Sequence, residues 1–149
     1  MVGAALFLLS ACSKQDKVVI VEGDDPAMKA AIAEARSTLP QFWQVFEKRN
    51  RDESDFSLKV KVTDSKGTEH FWVSDLDRHG GKIQGTINND PEVVASVKLG
   101  QRIDIQEADI SDWLYMRGGK IVGNRTMIPL LKKMPKEEAE KYRKMLAEP

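Results

Sequence analysis

The sequence predicts a single α+β domain, a curved antiparallel β-sheet of about five strands with helices at both ends and one short inserted helix. Three observations carry this. Residues 103–117 hold two apolar, strand-like runs around an acidic corner, closed by Gly118-Gly119, and are rich in the β-branched and aromatic residues that suit inner strands. Upstream, Phe56, Leu58, Val60 and Val62 alternate with Ser57, Lys59 and Lys61, the period of a half-buried strand. Apolar residues at helical spacing flank this strand-rich middle: Met28, Ile32, Ala35 and Leu39 before it, Ala139, Tyr142 and Leu146 after it.

The chain of 149 residues suits one domain with a real core. Its 23 Lys and Arg balance 23 Asp and Glu, so no net charge draws the whole molecule onto nucleic acid or anionic lipid. The basic run from Lys132 to Lys144 is interleaved with Glu and reads as a solvated helix face, so no nucleic-acid partner is expected. The sequence holds no G-x-S-x-G elbow, P-loop or dinucleotide fingerprint, and no cofactor is expected.

The N-terminus is the sharpest local signal. Residues 2–9 are almost wholly apolar and run into Leu9-Ser10-Ala11-Cys12. That tetrapeptide resembles the bacterial lipobox, in which the cysteine is lipidated and becomes the mature N-terminus. Cys12 is the single cysteine, so an intramolecular disulfide is impossible. The expected division is a signal peptide over residues 1–11, a lipidated N-terminus and tether over 12–24, and the domain over 25–149. Met1-Val2-Gly3 lacks the Lys or Arg with which signal peptides open. Acyl chains on Cys12 would hold the protein to a membrane, and by resemblance to lipoprotein sorting rules Ser13 favours the outer membrane of the envelope.

Taken in order, residues 18–21 read as an edge strand. Asp24-Asp25-Pro26 opens a helix with an Asp cap and Pro in the first turn. Pro40 is expected to interrupt it, leaving a further turn or two over residues 41–49 with Phe42, Val45 and Phe46 on one side. Residues 56–62 and 69–76 form strands about the turn at Asp64-Ser65-Lys66-Gly67, and a third strand follows over 82–87. Asn88-Asn89-Asp90-Pro91 reads as the cap of the short inserted helix, running through Val94 and Val97 to Gly100. Residues 102–107 and 112–117 are the fourth and fifth strands. A brief helix over 126–133 and a clearer one over 135–147, with i,i+4 Glu–Lys pairs, complete the chain.

An ordered set of residues extends this reading. It comprises Ala35-Arg36, Leu39-Pro40, Phe42, Glu69-His70-Phe71-Trp72-Val73, Gly85, Ile87, Asn89, Pro91, Gly100-Gln101, Ile110-Ser111-Asp112-Trp113, Tyr115, Gly123 and Thr126. The series resembles the YegJ-like bacterial family, a domain of unknown function. The resemblance implies a compact α+β domain, often exported, with no established reaction. Similar small domains near toxin systems further imply an immunity or inhibitor role as one alternative.

Three constellations bear on chemistry. His70, Asp75, Asp77 and His79 are metal-ligand types within ten residues. However, His70 and Asp75 fall on opposite faces of a regular strand and His79 sits at a Gly-Gly turn, so no metal site is expected. Asp104, Glu107, Asp109 and Asp112 could do acid–base work if they converged, but turn capping is the simpler role. Trp72, Trp113, Tyr115 and Arg117, with Asp112 orienting them, form the expected binding surface for a protein partner, the usual anchor types of interfaces. Their rival role is completion of a small core. The functional expectation is an exported, non-catalytic interaction module. The alternative is a metal-dependent envelope enzyme using His70 and nearby carboxylates.

Overall fold

The computed structural model describes residues 25–147 in full and the backbone of two short strands, β1 (Ala4–Phe7) and β2 (Val19–Glu22). Cys12, Ser13 and the cleavage and lipidation expected there lie outside the described residues. The remaining elements are α1 (Pro26–Lys48), β3 (Glu53–Asp64), β4 (Gly67–His79), β5 (Lys82–Ile87), β6 (Arg102–Ile105), β7 (Ile110–Arg117), β8 (Lys120–Gly123), α2 (Met127–Leu131) and α3 (Lys136–Met145). The α+β class holds. β3 to β8 form an antiparallel sheet of six strands, and the sixth is the passage after Gly118-Gly119. β1 adds to β4 in parallel at Glu69 and His70, and β2 pairs with β1 as the outer edge.

α1 starts where Asp25 accepts from the amides of Ala27 and Met28, with Pro26 in the first turn. It then runs unbroken through Pro40, where the sequence predicts an interruption. A mid-helix proline costs about 3 kcal/mol, and the continuous buried stripe Ala35, Leu39, Phe42, Trp43 and Phe46 outweighs it. Phe42 is the hub. It is fully buried, with ring centroids 5.1 Å from Trp43, 5.9 Å from Phe56 and 5.5 Å from Trp113. Leu58, Val60, Phe71, Val73, Trp113 and Tyr115 supply the sheet side of this core. A second cluster joins Met28 to Met127, Leu130, Leu131 and Ala139, seating α2 and α3.

Register fixes the architecture around the site. β3 and β4 pair from Asp64 and Gly67 up to Leu58 and Val73 and then part. Beyond that point β3 continues with β7, through an irregularity between Ser54 and Ser57. β4 continues with β5, through another between Ser74 and Asp77. The sheet is therefore forked, and each prong carries a bulge at the fork. Bulges bend strands and re-aim side chains.

The expected inserted helix does not form; residues 88–101 are bends and turns. Glu69, wholly buried, accepts from the amides of Glu92, Val93 and Val94, and Asp64 accepts from those of Ala95 and Ser96. With these five consecutive amides engaged by side chains, too few residues remain before Gly100 to close a helical turn. The Lys66 amide, first among its donors, holds the Asp64 carboxyl below its ordinary range. Replacing Glu69 with Ala strands three amides. We expect a loss of about 3 kcal/mol in urea unfolding, with hydrogen-exchange protection of residues 92–94 lost before that of the sheet; Glu69→Gln, which keeps an acceptor, is milder.

Candidate functional site

The alternating polar positions of β3 and β4 do not face water. Lys59 pairs across the strands with Trp72 on one side and Asp112 on the other, and is only 2% exposed. Its ammonium donates to the Thr126 hydroxyl at 2.8 Å. That hydroxyl donates in turn to the Asp112 carboxylate at 2.6 Å. Asp112, fully buried, also accepts from the amides of Trp113, Arg125 and Thr126. Burial pushes Lys59 down to about 8 against the pull of the Asp112 charge. Burial likewise raises Asp112, opposed by Lys59 and Thr126. The direction of the Thr126 relay, with Lys59 donating and Asp112 accepting, is that of an ion pair. The Lys59 ammonium also lies 4.8 Å from the centroid of the Trp72 ring.

Next to this pair, His70 Nδ1 lies 2.9 Å from the Ser111 hydroxyl, which donates to the Lys59 carbonyl at 3.2 Å. Because the serine proton goes to a carbonyl, His70 is the donor in their contact and does not act as base to a serine nucleophile. Burial first, and the charges of Lys59 and Lys61 after it, push His70 down to about 3.

The metal-ligand types do not converge. His79 bonds Asp77 on an exposed hairpin, His70 is in the interior, and Asp75 sits at the β4 bulge. Among the described residues no three His, Cys, Asp or Glu side chains come together as a metal site. The acidic corner disperses too. Asp104 accepts from Gln84, Asp109 lies 4.0 Å from Lys61, and Asp112 serves the chain described above. Of the expected binding surface, Trp72 and Asp112 share the Lys59 face. Trp113 and Tyr115 belong to the α1 core, where the Trp113 indole N–H donates to the Ala35 carbonyl. Arg117 pairs with Glu53 at 2.7 Å, over the Tyr115 ring.

What the structure does bring together is an open groove of about 800 Å³ in the fork of the sheet, between its strands and α3. Trp72, Leu114, Tyr142 and Met145 are among its apolar walls. All four non-glycine residues described with left-handed backbone line it: Arg49 (φ 45°), Asp55 (φ 55°), Asp75 (φ 49°) and Asn124 (φ 54°). Asp55 and Asp75 are at the two bulges. Non-glycine residues pay in this region, and such costs gather at ligand sites. The buried side-chain atoms left without a hydrogen-bond partner among the described residues lie elsewhere, at Trp43 Nε1 and Asn89 Nδ2. Of the groove lining, the sequence reading named Trp72 as a surface anchor and Asp75 only as a metal-ligand type; it missed the groove itself, because strand alternation places the bulge aspartates on a face that looks solvated.

The family model described as an uncharacterised protein conserved in bacteria, DUF2314, matches residues 25–147. An uncharacterised protein of Escherichia coli K12, YegJ, is 40% identical over 98% of this chain and 95% of its own length. A protein of Neisseria meningitidis serogroup B carrying the name "Putative ankyrin repeat protein" is 31% identical over 84% of this chain, which spans 53% of that longer protein. No solved structure matches.

The burial of His70 has a consequence for pH. Its folded pKa lies below its unfolded value of 6.5, so the unfolded chain binds the extra proton. The His70 contribution is complete above about pH 6.5 and is lost as pH falls toward about 3, with a slope approaching 1.4 kcal/mol per pH unit. Urea unfolding of the wild type from pH 7 to pH 4 is expected to show this slope over that of His70→Asn, whereas His79→Asn leaves it in place.

Proposed function

We propose a function on the premise that the chain belongs to DUF2314, a family of uncharacterised proteins conserved in bacteria: it is a non-catalytic binding module for a protein partner, held in the envelope by a lipidated Cys12. The observation that carries the binding reading is the gathering of every left-handed non-glycine residue described onto one groove. The groups with displaced pKa values support it as well. Lys59 and Asp112 are engaged in internal bonds that tie the sheet to the segment before α2, and His70 in one that ties β4 to β7 at Ser111, a positioning use rather than a chemical one. The longer Neisseria relative is named for ankyrin repeats, an architecture that builds extended binding surfaces, and an interaction role suits that company.

The anchoring part rests on Leu9-Ser10-Ala11-Cys12 and the polar tether behind it. Ser13 favours the outer membrane within this reading. The test uses a photo-reactive amino acid placed in living cells at Ser74 in the groove and, as a control, at Arg143 on α3. The expected result is one dominant cross-linked protein from Ser74 only, and movement of the protein from the membrane to the soluble fraction on Cys12→Ala. Equal capture from both positions would contradict the groove. An unchanged membrane fraction would contradict the anchor.

A further inference from the structure

We propose that the edge of β4 at residues 68–70 is a strand-docking site whose occupant changes on maturation: β1 closes it in the full chain, and β2 moves onto it once residues 1–11 are removed. This rests on the anchoring reading above, in which Cys12 becomes the mature N-terminus.

The first ground is where the backbone groups of β4 point. The Trp72 N–H donates to Asn89 Oδ1 and the Trp72 carbonyl accepts from the Asn88 amide, both at 2.9 Å, so Trp72 turns its backbone away from β3. A strand in an antiparallel ladder turns alternate residues to alternate neighbours. His70 and Thr68 therefore turn their N–H and carbonyl groups to the same side as Trp72. On that side β1 runs parallel to β4, with Phe7 opposite His70 and Leu6 opposite Glu69. Removal of residues 1–11 takes β1 away whole and leaves these groups of His70 and Thr68 without a strand. An open edge of this kind is a template for pairing. Asn89 closes the end of the edge, and its Nδ2 is buried without a partner among the described residues, so β1 in place does not meet every donor there.

The second ground is that β2 is already in line to replace β1. It is antiparallel to β1 and joined to the sheet through it, with Val19 opposite Phe7, Ile20 opposite Leu6 and Val21 opposite Ala5. A sideways step of about 4.8 Å, one strand spacing, puts Val19 opposite His70 and Val21 opposite Thr68 with no change of level. At that register Val19 and Val21 exchange both backbone bonds with His70 and Thr68. Val19, Ile20 and Val21 are β-branched and suit a strand. Only Gly23 and Asp24 stand between β2 and the Asp25 cap of α1, so the replacement is intramolecular and outcompetes a free strand. Docking of β2 also places the domain at the membrane. Val19 follows Cys12 by seven residues, so the β4 edge is held within about 25 Å of the lipid.

The test is the pair Val21→Cys and Thr68→Cys made in living cells, in a chain processed normally and in one held unprocessed by Cys12→Ala. Acylation occupies Cys12 in the first and the substitution removes it in the second, so the two new thiols are the only free ones. With β1 between them the two positions are about 10 Å apart, two strand spacings, beyond the roughly 7 Å between Cα atoms that a disulfide spans. The expected result is loss of both free thiols to a bond within one processed chain, and their retention in the Cys12→Ala chain. Intact mass reports the removal of residues 1–11. A processed chain with both thiols free would overturn the inference and leave the anchoring reading standing. So would a bond from position 68 to a second copy or to another protein, or the same internal bond in the Cys12→Ala chain. Retention of residues 1–11 in the normal chain would overturn the anchoring reading and this inference with it. Hydrogen exchange on the processed chain without the two new cysteines guards against a misfolded variant: the amides of Val21 and His70 are expected to be protected together, and fast exchange at either would overturn the inference.

Discussion

The Asp112 carboxylate is the constraint on which the rest of this structure depends. It is fully buried on β7 and takes four hydrogen bonds, from the amides of Trp113, Arg125 and Thr126 and the Thr126 hydroxyl. Through that hydroxyl it is joined to Lys59 on β3. Two charges this deep are costly to desolvate, and such a pair holds only when its remaining hydrogen-bond capacity is met. Here it is met by the chain just before α2. The same bonds that compensate the charge therefore fix residues 124–126 against the sheet and set where α2 begins.

That placement decides the shape of the groove. β3 and β4 part beyond Leu58 and Val73 because each follows a different neighbour, β7 on one side and β5 on the other. The Phe42 ring cluster holds the β3–β7 prong against α1. Gly85 lets β5 lie close on the β4 prong, since a Cβ there would come within 2.5 Å of Val73 and 2.9 Å of Leu76. Gly123, at φ 86°, sits so close to the Trp113 carbonyl and ring that only glycine fits. It delivers the chain from β8 to Asn124. The groove is what remains between the prongs once these contacts are made.

The outline of the fold was legible because it is written in periodicity. Alternation gave β3, i,i+4 pairing gave α3, and glycine turns separated the strands. Where the sequence misled, a long-range bond had overridden a local signal. Asp90-Pro91 looks like a helix start, but Glu69 and Asp64 engage the amides that follow. Pro40 looks like a break, but the apolar stripe on both sides of it, Ala35 and Leu39 before and Phe42, Trp43 and Phe46 after, is buried as one. The site was less legible for the same reason. Lys59 has the spacing of a solvated residue until Thr126, distant in sequence, covers it, and a bulge at Asp55 or Asp75 leaves no trace in hydrophobic pattern. Trp113 and Tyr115, the aromatic pair that looked like interface anchors, serve the core instead of the groove.

The most direct test of this account is amide hydrogen exchange, resolved by residue, on Asp112→Asn beside the wild type. If the buried carboxylate organises the segment before α2, protection at Arg125, Thr126 and α2 is lost first, while β3, β4 and the α1 core retain theirs under the same conditions. If residues 124–131 keep their protection, or every element loses it together, the carboxylate does not set the groove and the account is contradicted.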